Sequence, residues 1–184
     1  MINFLTDEPP SSVLISGAEF PINTDFKIWI KAQNILSDPA ISPADKIIKI
    51  FSLVFISPVL PPSLEDTLSA LSDFLSPLPK SGEGGGGCNN TPAFSFTHDG
   101  GLIYAAFLSQ YGIDLTSARL HWWRFLALFY ALDSCKFTEI VRIRTADLST
   151  VKDTDYKRFL RKQKRLYRIP ETKPDISLEI NKIF

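Results

Sequence analysis

The chain has 184 residues, of which 45% are apolar and 22% charged, and its 20 basic and 20 acidic residues give a formal net charge of zero. These proportions are ordinary for a globular protein and exclude a largely disordered chain. Two cysteines are too few for a disulfide framework or a zinc site. The uncharged run at 50–64 is too short and too rich in proline to be a transmembrane helix. Residues 1–8 lack the features of a signal peptide, so we expect a reducing, cytoplasmic setting.

The N-terminal part of the sequence predicts a β-hairpin followed by three helices. Two apolar runs within 13–22 flank Ser16 and Gly17, a pair that suits a tight turn. Helix starts are predicted at 23–25, at 42–43 and at Ser63, because short polar side chains accept hydrogen bonds from unpaired backbone N–H groups. The residues expected on the buried faces are Phe26, Trp29, Ile30, Gln33 and Leu36 in the first helix, Ile47, Ile48, Phe51, Val54 and Phe55 in the second, and Leu68, Leu71, Phe74 and Leu75 in the third.

A Pro/Gly-rich stretch at 76–92 interrupts the helical pattern. It has no apolar period and contains four consecutive glycines at 84–87, which favours a flexible loop. A phosphate-binding loop is not favoured, because no Gly-Lys-Ser/Thr follows the glycines and no strand precedes them.

The segment at 93–150 predicts an aromatic helical core, since 94–137 holds eleven of the 22 aromatic residues. Asp99 is expected to cap a helix that ends at Gly112, rather than to bind a ligand together with the glycines after it. Thr116 or Ser117 is expected to cap a second helix, which is apolar on most sides and therefore central and buried. Ser134 is expected to cap a third. The inward residues are expected to include Leu102, Ile103, Ala106, Phe107 and Gln110, then Leu120, Trp123, Ala127 and Tyr130 with Trp122, Phe125, Leu126 and Phe129, and finally Phe137, Ile140 and Val141.

Two groups in this segment have a chemical interpretation beside a structural one. His121, Trp122 and Trp123 suit a base-stacking platform, but the helical apolar pattern around them favours core packing. Cys135 at a helix start, paired with His121, would make a nucleophile, whereas a small buried cysteine is the more ordinary case.

The C-terminal segment predicts a basic amphipathic helix that starts at Asp153 or Thr154. Residues 152–173 carry nine basic and three acidic residues. The expected stripe is Tyr156, Phe159, Leu160, Gln163 and Tyr167, and the surrounding cations are Lys157, Arg158, Arg161, Lys162, Lys164, Arg165 and Arg168. Three interpretations stay open for this helix: a solvated face, docking to an acidic protein surface, or contact with nucleic-acid phosphates.

These elements together predict a mainly α protein, a helical bundle of about six or seven helices with a small N-terminal β-hairpin. We expect one compact domain with four parts: a hairpin and helices at 1–75, the loop at 76–92, the aromatic core at 93–150, and the basic helix and tail at 151–184.

The zero net charge is a cancellation between two halves. Residues 1–100 carry five basic and eleven acidic residues, a balance of −6, and residues 101–184 carry fifteen and nine, a balance of +6. This asymmetry permits head-to-tail self-association or docking to charged partners, and it equally permits the two halves to neutralise each other within one fold.

Several short motifs occur at a specific spacing: HDGGLIYAAF at 98–107, YGIDL at 111–115, LHWWRF at 120–125, IR at 143–144 and, near the start, FPINTDFK at 20–27. The set resembles the bacteriophage gene-product-fifteen family of long-tailed phages and prophages of Gram-positive bacteria. The resemblance spans most of the chain and is weakest at 59–92. The core and motif residues that we single out are Tyr104, Phe107, Tyr111, Gly112, Leu120, His121, Trp122, Trp123 and Phe125.

This resemblance implies a non-catalytic tail assembly chaperone that binds the tape measure protein, the tail-tube protein or both, in the host cytoplasm and outside the mature virion. It carries over no catalytic residue, cofactor or metal. A nucleic-acid-binding phage regulatory protein that uses the basic helix is the alternative. The residues expected to bind a partner are Tyr156, Arg158, Phe159, Arg161, Lys162, Arg165, Tyr167 and Arg168.

Overall fold

The computed structural model describes residues 3–57, 59, 61–77 and 92–170. Within them the protein is mainly α, as predicted, with seven helices and one two-stranded hairpin. The elements are β1 (Ser12–Ile15), β2 (Ala18–Pro21), α1 (Phe26–Ser37), α2 (Pro43–Val54), α3 (Leu64–Leu75), α4 (Gly100–Tyr111), α5 (Trp122–Tyr130), α6 (Lys136–Thr145) and α7 (Thr154–Leu166). Most of the predicted loop at 76–92, Cys88 and the tail beyond residue 170 lie outside the described residues.

The N-terminal hairpin forms where the sequence predicts it. β1 and β2 pair antiparallel, with Val13 opposite Phe20, and the turn residues Ser16 and Gly17 both have positive φ, of 50° and 85°. Val13 and Ile15 are buried, and β1 packs against α3. Because an isolated hairpin is marginal in water, this apolar contact stabilises it.

The caps of the first three helices follow their local signals. Asp25 accepts a hydrogen bond from the N–H of Lys27 at 2.8 Å, Ser42 one from Asp45 at 3.2 Å, and Ser63 one from Asp66 at 3.2 Å. These bonds satisfy backbone donors that have no partner within the helix.

In the first three helices, three residues expected on the buried faces are exposed instead. Leu36 is 47% exposed, Ile48 66% and Leu68 45%. Each lies on a helix whose packing against its neighbour buries a narrower stripe than the apolar pattern indicates: α1 packs on α2, and α3 on β1. Gln110 is likewise exposed on α4.

The predicted central helix α5 is confirmed, but its start and its outer face differ from the prediction. Trp122 and Phe125 are fully buried, whereas Tyr130 is 63% exposed. The cap is His121, not Thr116 or Ser117. Thr116 and Ser117 lie in a turn instead. The N–H of Phe26 donates to the Leu120 carbonyl and the N–H of Trp122 to the Thr24 carbonyl, so a long-range backbone contact engages the chain just before the helix begins at Trp122.

The caps of α4 and α6 also differ in part from the prediction. Asp99 stands at the start of α4 but makes no side-chain cap bond. Cys135, not Ser134, caps α6, and Ser134 takes a φ of 48° just before it. Gly112 ends α4 with a φ of 65°, as predicted.

Stacked aromatic rings join the N-terminal and C-terminal helices in one core. The Phe125 ring on α5 lies 4.7 Å from the ring of Phe26 on α1 and 5.2 Å from that of Phe107 on α4, close to parallel in both cases. Such contacts stabilise a core beyond the apolar area that they bury. The motif residues at 104–125 are thus mainly structural.

Candidate partner-binding surface

Helix α7 forms for local reasons that the sequence shows. Asp153 accepts a hydrogen bond from the N–H of Tyr156 at 2.8 Å, Asp155 lies in the first turn, and Lys164 and Arg165 lie in the last. These charges complement the helix dipole at both ends. The helix carries six basic residues and one acidic residue, so its own charge is +5.

A narrow strip attaches α7 to α6. Leu160 is its one fully buried side chain. The ammonium group of Lys164 donates to the Ala146 carbonyl at 2.6 Å, and Lys136 on α6 stands 5.4 Å from the centre of the Tyr167 ring. Tyr167, predicted to bind a partner, is therefore partly buried against α6.

The apolar stripe predicted for α7 does not pack into the core as a whole. Tyr156 is 54% exposed and Phe159 is 52% exposed, and their rings stack on each other 6.3 Å apart. Leu166, one turn beyond Lys162, is 69% exposed. At 100° per residue, these three side chains lie on the same flank of the helix, and they leave an apolar strip open to solvent.

The cations of α7 form a second strip beside the apolar one. Arg158, Lys162 and Arg165 recur at spacings of four and three, which places them on one face. Within the part of the chain that the structure describes, α7 makes one ion pair, between Arg158 and Asp155 at 3.7 Å, and both side chains are largely exposed. We call the exposed residues of both strips the α7 surface: Tyr156, Arg158, Phe159, Arg161, Lys162, Arg165 and Leu166.

A buried ion pair joins the segments that contact the end of α7. Arg144, near the end of α6, makes two hydrogen bonds to the Asp99 carboxylate, at 2.6 and 2.9 Å, and the two side chains are 4% and 1% exposed. The same guanidinium donates to the carbonyl of Tyr167 at 2.6 Å and to that of Ala93 at 3.3 Å. One side chain thus connects α4, α6, the end of α7 and the segment before α4.

The Asp99 carboxyl stays ionised in this setting. Burial by itself raises its pKa, but the hydrogen bonds from Arg144 and from the Ser95 N–H, and the Arg144 charge, together hold the pKa below its ordinary value of 3.8. The sequence prediction gave Asp99 the role of a helix cap and missed this pair. The available signal was the charge of Arg144 at the end of an otherwise apolar helix face.

The residues of the predicted stacking platform serve the core. The indole N–H of Trp122 donates to the Leu75 carbonyl at 3.0 Å, and that of Trp123 to the Phe74 carbonyl at 2.8 Å. Tyr111 donates its hydroxyl hydrogen to the Leu128 carbonyl at 2.9 Å. These bonds satisfy the polar atoms of large aromatic side chains, as buried Trp and Tyr require.

His121 is a structural cap with both ring nitrogens engaged. Its Nδ1 accepts from the N–H of Trp123 at 3.1 Å, and its Nε2 lies 3.0 Å from the Pro10 carbonyl, so the neutral ring carries its proton on Nε2. Burial lowers its pKa below the ordinary 6.5; the Pro10 carbonyl opposes this shift and the charge of Arg124 adds to it.

Cys135 and His121, the pair considered as a nucleophile, have different partners in the structure. The Cys135 sulfur lies 3.6 Å from the Thr138 hydroxyl oxygen, within the turn that starts α6. Among the described residues, no group of three or more His, Cys, Asp or Glu side chains could hold a metal ion. In the same residues, no helix is long and apolar enough to cross a membrane.

Comparison with known proteins gives one result. A family model described as bacteriophage Gp15 protein matches residues 5–169, which is most of the chain. Neither a curated protein nor a solved structure matches it. The matched range includes the Asp99–Arg144 pair, the aromatic core and all of α7.

Proposed function

Because this chain belongs to the bacteriophage Gp15 protein family, we propose that it is a non-catalytic tail assembly chaperone that binds the tape measure protein during tail morphogenesis. The observation that carries the proposal is the α7 surface, where two stacked aromatic rings stand outside the core beside a row of cations. The tail-tube protein is the second client that we propose. Both contacts take place in the host cytoplasm.

The apolar strip of the α7 surface suits a helical client. A long tape measure helix exposes apolar side chains until tube subunits surround it. Tyr156, Phe159 and Leu166 are half or more exposed, and each apolar Å² that they remove from water contributes about 25 cal/mol. An amphipathic client helix can lie along this strip with its apolar face inward.

The basic strip adds orientation and reversibility. Arg158, Lys162 and Arg165 attract acidic side chains on the client and increase the rate of encounter. Exposed ion pairs of this kind each contribute about 0–1 kcal/mol, so the complex stays weak enough to release the client when tube subunits arrive.

Co-expression with the tape measure protein tests the proposal. We expect the wild-type chain to raise the soluble fraction of the tape measure protein and to co-purify with it. The variant Tyr156→Ser/Phe159→Ser should lose most of both effects, because it removes the apolar strip and keeps the charge. Neither side chain is buried, so the variant should fold normally, which circular dichroism checks.

A matched control is Ile48→Ser on α2. Ile48 is 66% exposed and lies outside the α7 surface, so this variant should still solubilise the client. If the wild-type chain neither solubilises nor co-purifies with the tape measure protein or the tail-tube protein, the proposed function is wrong.

We also propose that the protein leaves the assembly before the virion is complete. A chaperone that covers the tape measure protein must give way to the tube. Mass spectrometry of purified virions should therefore find no stoichiometric amount of this chain, whereas a fixed copy number per tail would indicate a structural component.

The second candidate function is nucleic-acid binding through the same helix. It is favoured by the row of exposed cations on α7 next to two aromatic rings on which bases could stack. Phosphate contacts release counterions, so binding would weaken steeply with salt. A mobility-shift assay at low ionic strength with wild type and Arg158→Gln/Lys162→Gln decides it: absence of any shift removes this candidate.

A further inference from the structure

An open groove lies between β1 and α3, on the acidic half of the protein. Its volume is about 580 Å³, within the range of about 300–1,000 Å³ that is typical of ligand pockets. Val13, Phe74 and Trp123 line its inner part, and Leu14 and Asp73 lie at its rim. It is separate from the α7 surface.

The lining of the groove is mainly apolar, with Ser12 and Asp73 as its polar side chains. The indole N–H of Trp123 donates to the Phe74 carbonyl, and the Pro10 carbonyl at the edge of the groove contacts His121. Apart from Ser12 and Asp73, the groove therefore offers aromatic and aliphatic surface rather than free hydrogen-bonding groups. Leu14 is 66% exposed above it, so this apolar surface has no cover within the described chain.

Carboxylates give the rim of the groove its charge. Asp73 is exposed on α3, and Asp66 lies two turns earlier, where it accepts a hydrogen bond from the Ser16 hydroxyl at 2.5 Å. α3 also carries Glu65 and has no basic residue. Over residues 3–77 the sequence has four basic and nine acidic residues, a balance of −5.

We propose that this groove receives the α7 surface of a second copy of this chain. The two surfaces are complementary in apolar character and in charge. The stacked rings of Tyr156 and Phe159 match an apolar groove of sufficient volume, and the +5 charge of α7 matches the acidic half around the groove. Complementary potentials of this kind set the orientation of two partners and speed their encounter.

The contact is intermolecular and heterologous. Within one chain, Tyr156 and Phe159 remain about half exposed and Leu14 two-thirds exposed, so the two surfaces do not cover each other. Because the groove and α7 are different surfaces, a pair of copies keeps one unused groove, on one copy, and one unused α7 surface, on the other. Association is therefore head to tail, and it closes into a ring or extends into an open chain.

Complementary mixing of two variants tests this geometry. The groove variant is Leu14→Arg/Asp73→Asn, and the α7 variant is Tyr156→Ser/Phe159→Ser. All four side chains are exposed, so both variants should fold. Sedimentation velocity over a wide concentration range should show wild type associating and each variant alone staying monomeric. An equimolar mixture retains one intact contact and should form dimers that do not grow further.

Two further measurements sharpen the test. Added salt should shift wild type toward monomer, because exposed charges are screened at distances beyond about 8–10 Å. Ile48→Arg changes a residue that is as exposed as Leu14 but lies on α2, and it should associate like wild type. The proposal is overturned if wild type stays monomeric at every concentration, or if the groove variant alone still associates, which would indicate an α7–α7 contact.

This inference needs no phage partner and is separable from the proposed function. The groove variant keeps an intact α7 surface and should still bind the tape measure protein. Self-association without client binding would reject only the chaperone proposal, and client binding by a strictly monomeric protein would reject only the self-association.

Discussion

At the scale of single residues, the Asp99–Arg144 pair is the most consequential contact of the structure. The two residues are 45 positions apart, their side chains are nearly inaccessible, and two direct hydrogen bonds join them. Removing one partner of such a pair leaves an uncompensated buried charge, whereas the pair as a whole contributes little net stability. Its main effect is therefore to hold α6 and the end of α7 in one arrangement.

The first prediction concerns Arg144. Replacing it with Met should lower the free energy of unfolding by about 3–5 kcal/mol, because the Asp99 carboxylate loses its partner inside the protein. Chemical denaturation measures the loss. Arg142→Met, an exposed position on the same helix, should change stability by about 0.5 kcal/mol at most, and equal losses in the two variants would contradict the assigned role of Arg144.

The second prediction concerns the pH dependence that His121 causes. Its folded-state pKa lies below the ordinary 6.5, so the unfolded chain takes up a proton at higher pH than the folded protein does. Stability contributed by neutral His121 is therefore complete above pH 6.5 and decreases as the pH falls toward the folded pKa. Thermal unfolding from pH 7.5 to 5 should show this decrease.

The control for His121 is the variant His121→Asn. Asparagine is a favourable cap that accepts from the same backbone N–H and does not titrate. We expect it to reduce the slope of stability against pH in this window. An unchanged slope would assign the effect to other groups. Asp99, whose pKa is lowered, acts in a separate window below 3.8.

At the scale of elements, α7 and α2 are, among the described helices, the two with a single buried side chain, Leu160 in α7 and Val54 in α2. Leu160 and the bonds of Lys164 and Arg144 attach α7 to α6. Most helical stability in proteins comes from tertiary packing of an apolar face. Helix α7 consequently depends on few contacts and leaves its aromatic strip available for binding.

The third prediction compares two neighbouring residues of α7. Leu160→Ala should destabilise the docking of α7 by about 2 kcal/mol or more, because it opens a cavity at a buried position. Phe159→Ala should leave stability within about 0.5 kcal/mol of wild type, since its ring is half exposed. Hydrogen exchange of the α7 amides measures both, and faster exchange in Phe159→Ala than in Leu160→Ala would contradict the assigned orientation.

At the scale of the whole molecule, one aromatic core is formed by residues that precede and residues that follow the Pro/Gly-rich stretch of the sequence. Phe26 and Trp29 precede that stretch, Phe107, Trp122 and Phe125 follow it, and their rings lie 4.7–6.5 Å apart. The opposite charges of the two halves are thus combined with a shared apolar interior. We expect the halves to fold as one unit.

The fourth prediction tests whether the two halves fold as one cooperative unit. Phe125→Ala should lower the free energy of unfolding by about 3–5 kcal/mol, because it removes the ring that links α1, α4 and α5. Far-ultraviolet circular dichroism and tryptophan fluorescence should report the same midpoint in wild type and variant. Separate midpoints would indicate two independently folding parts. Phe125→Leu, which keeps most of the volume, should lose less.

The sequence by itself determined the features that depend on residues within one turn of each other or on a single apolar run. The hairpin turn at Ser16 and Gly17, the caps at Asp25, Ser42, Ser63 and Asp153, and the buried character of α5 were all predictable. So were the opposite charges of the two halves and the family resemblance, which the family match confirms.

Only the tertiary structure decided which apolar faces find a neighbour and which polar groups meet across the chain. Tyr156 and Phe159 have the spacing of core residues, yet α6 covers only the flank that carries Leu160. Asp99 has the sequence of a cap, yet its carboxylate binds Arg144, and the start of α5 follows backbone bonds to Thr24 and Phe26. Burial and ion pairing depend on contacts between distant segments, and local sequence patterns do not contain that information.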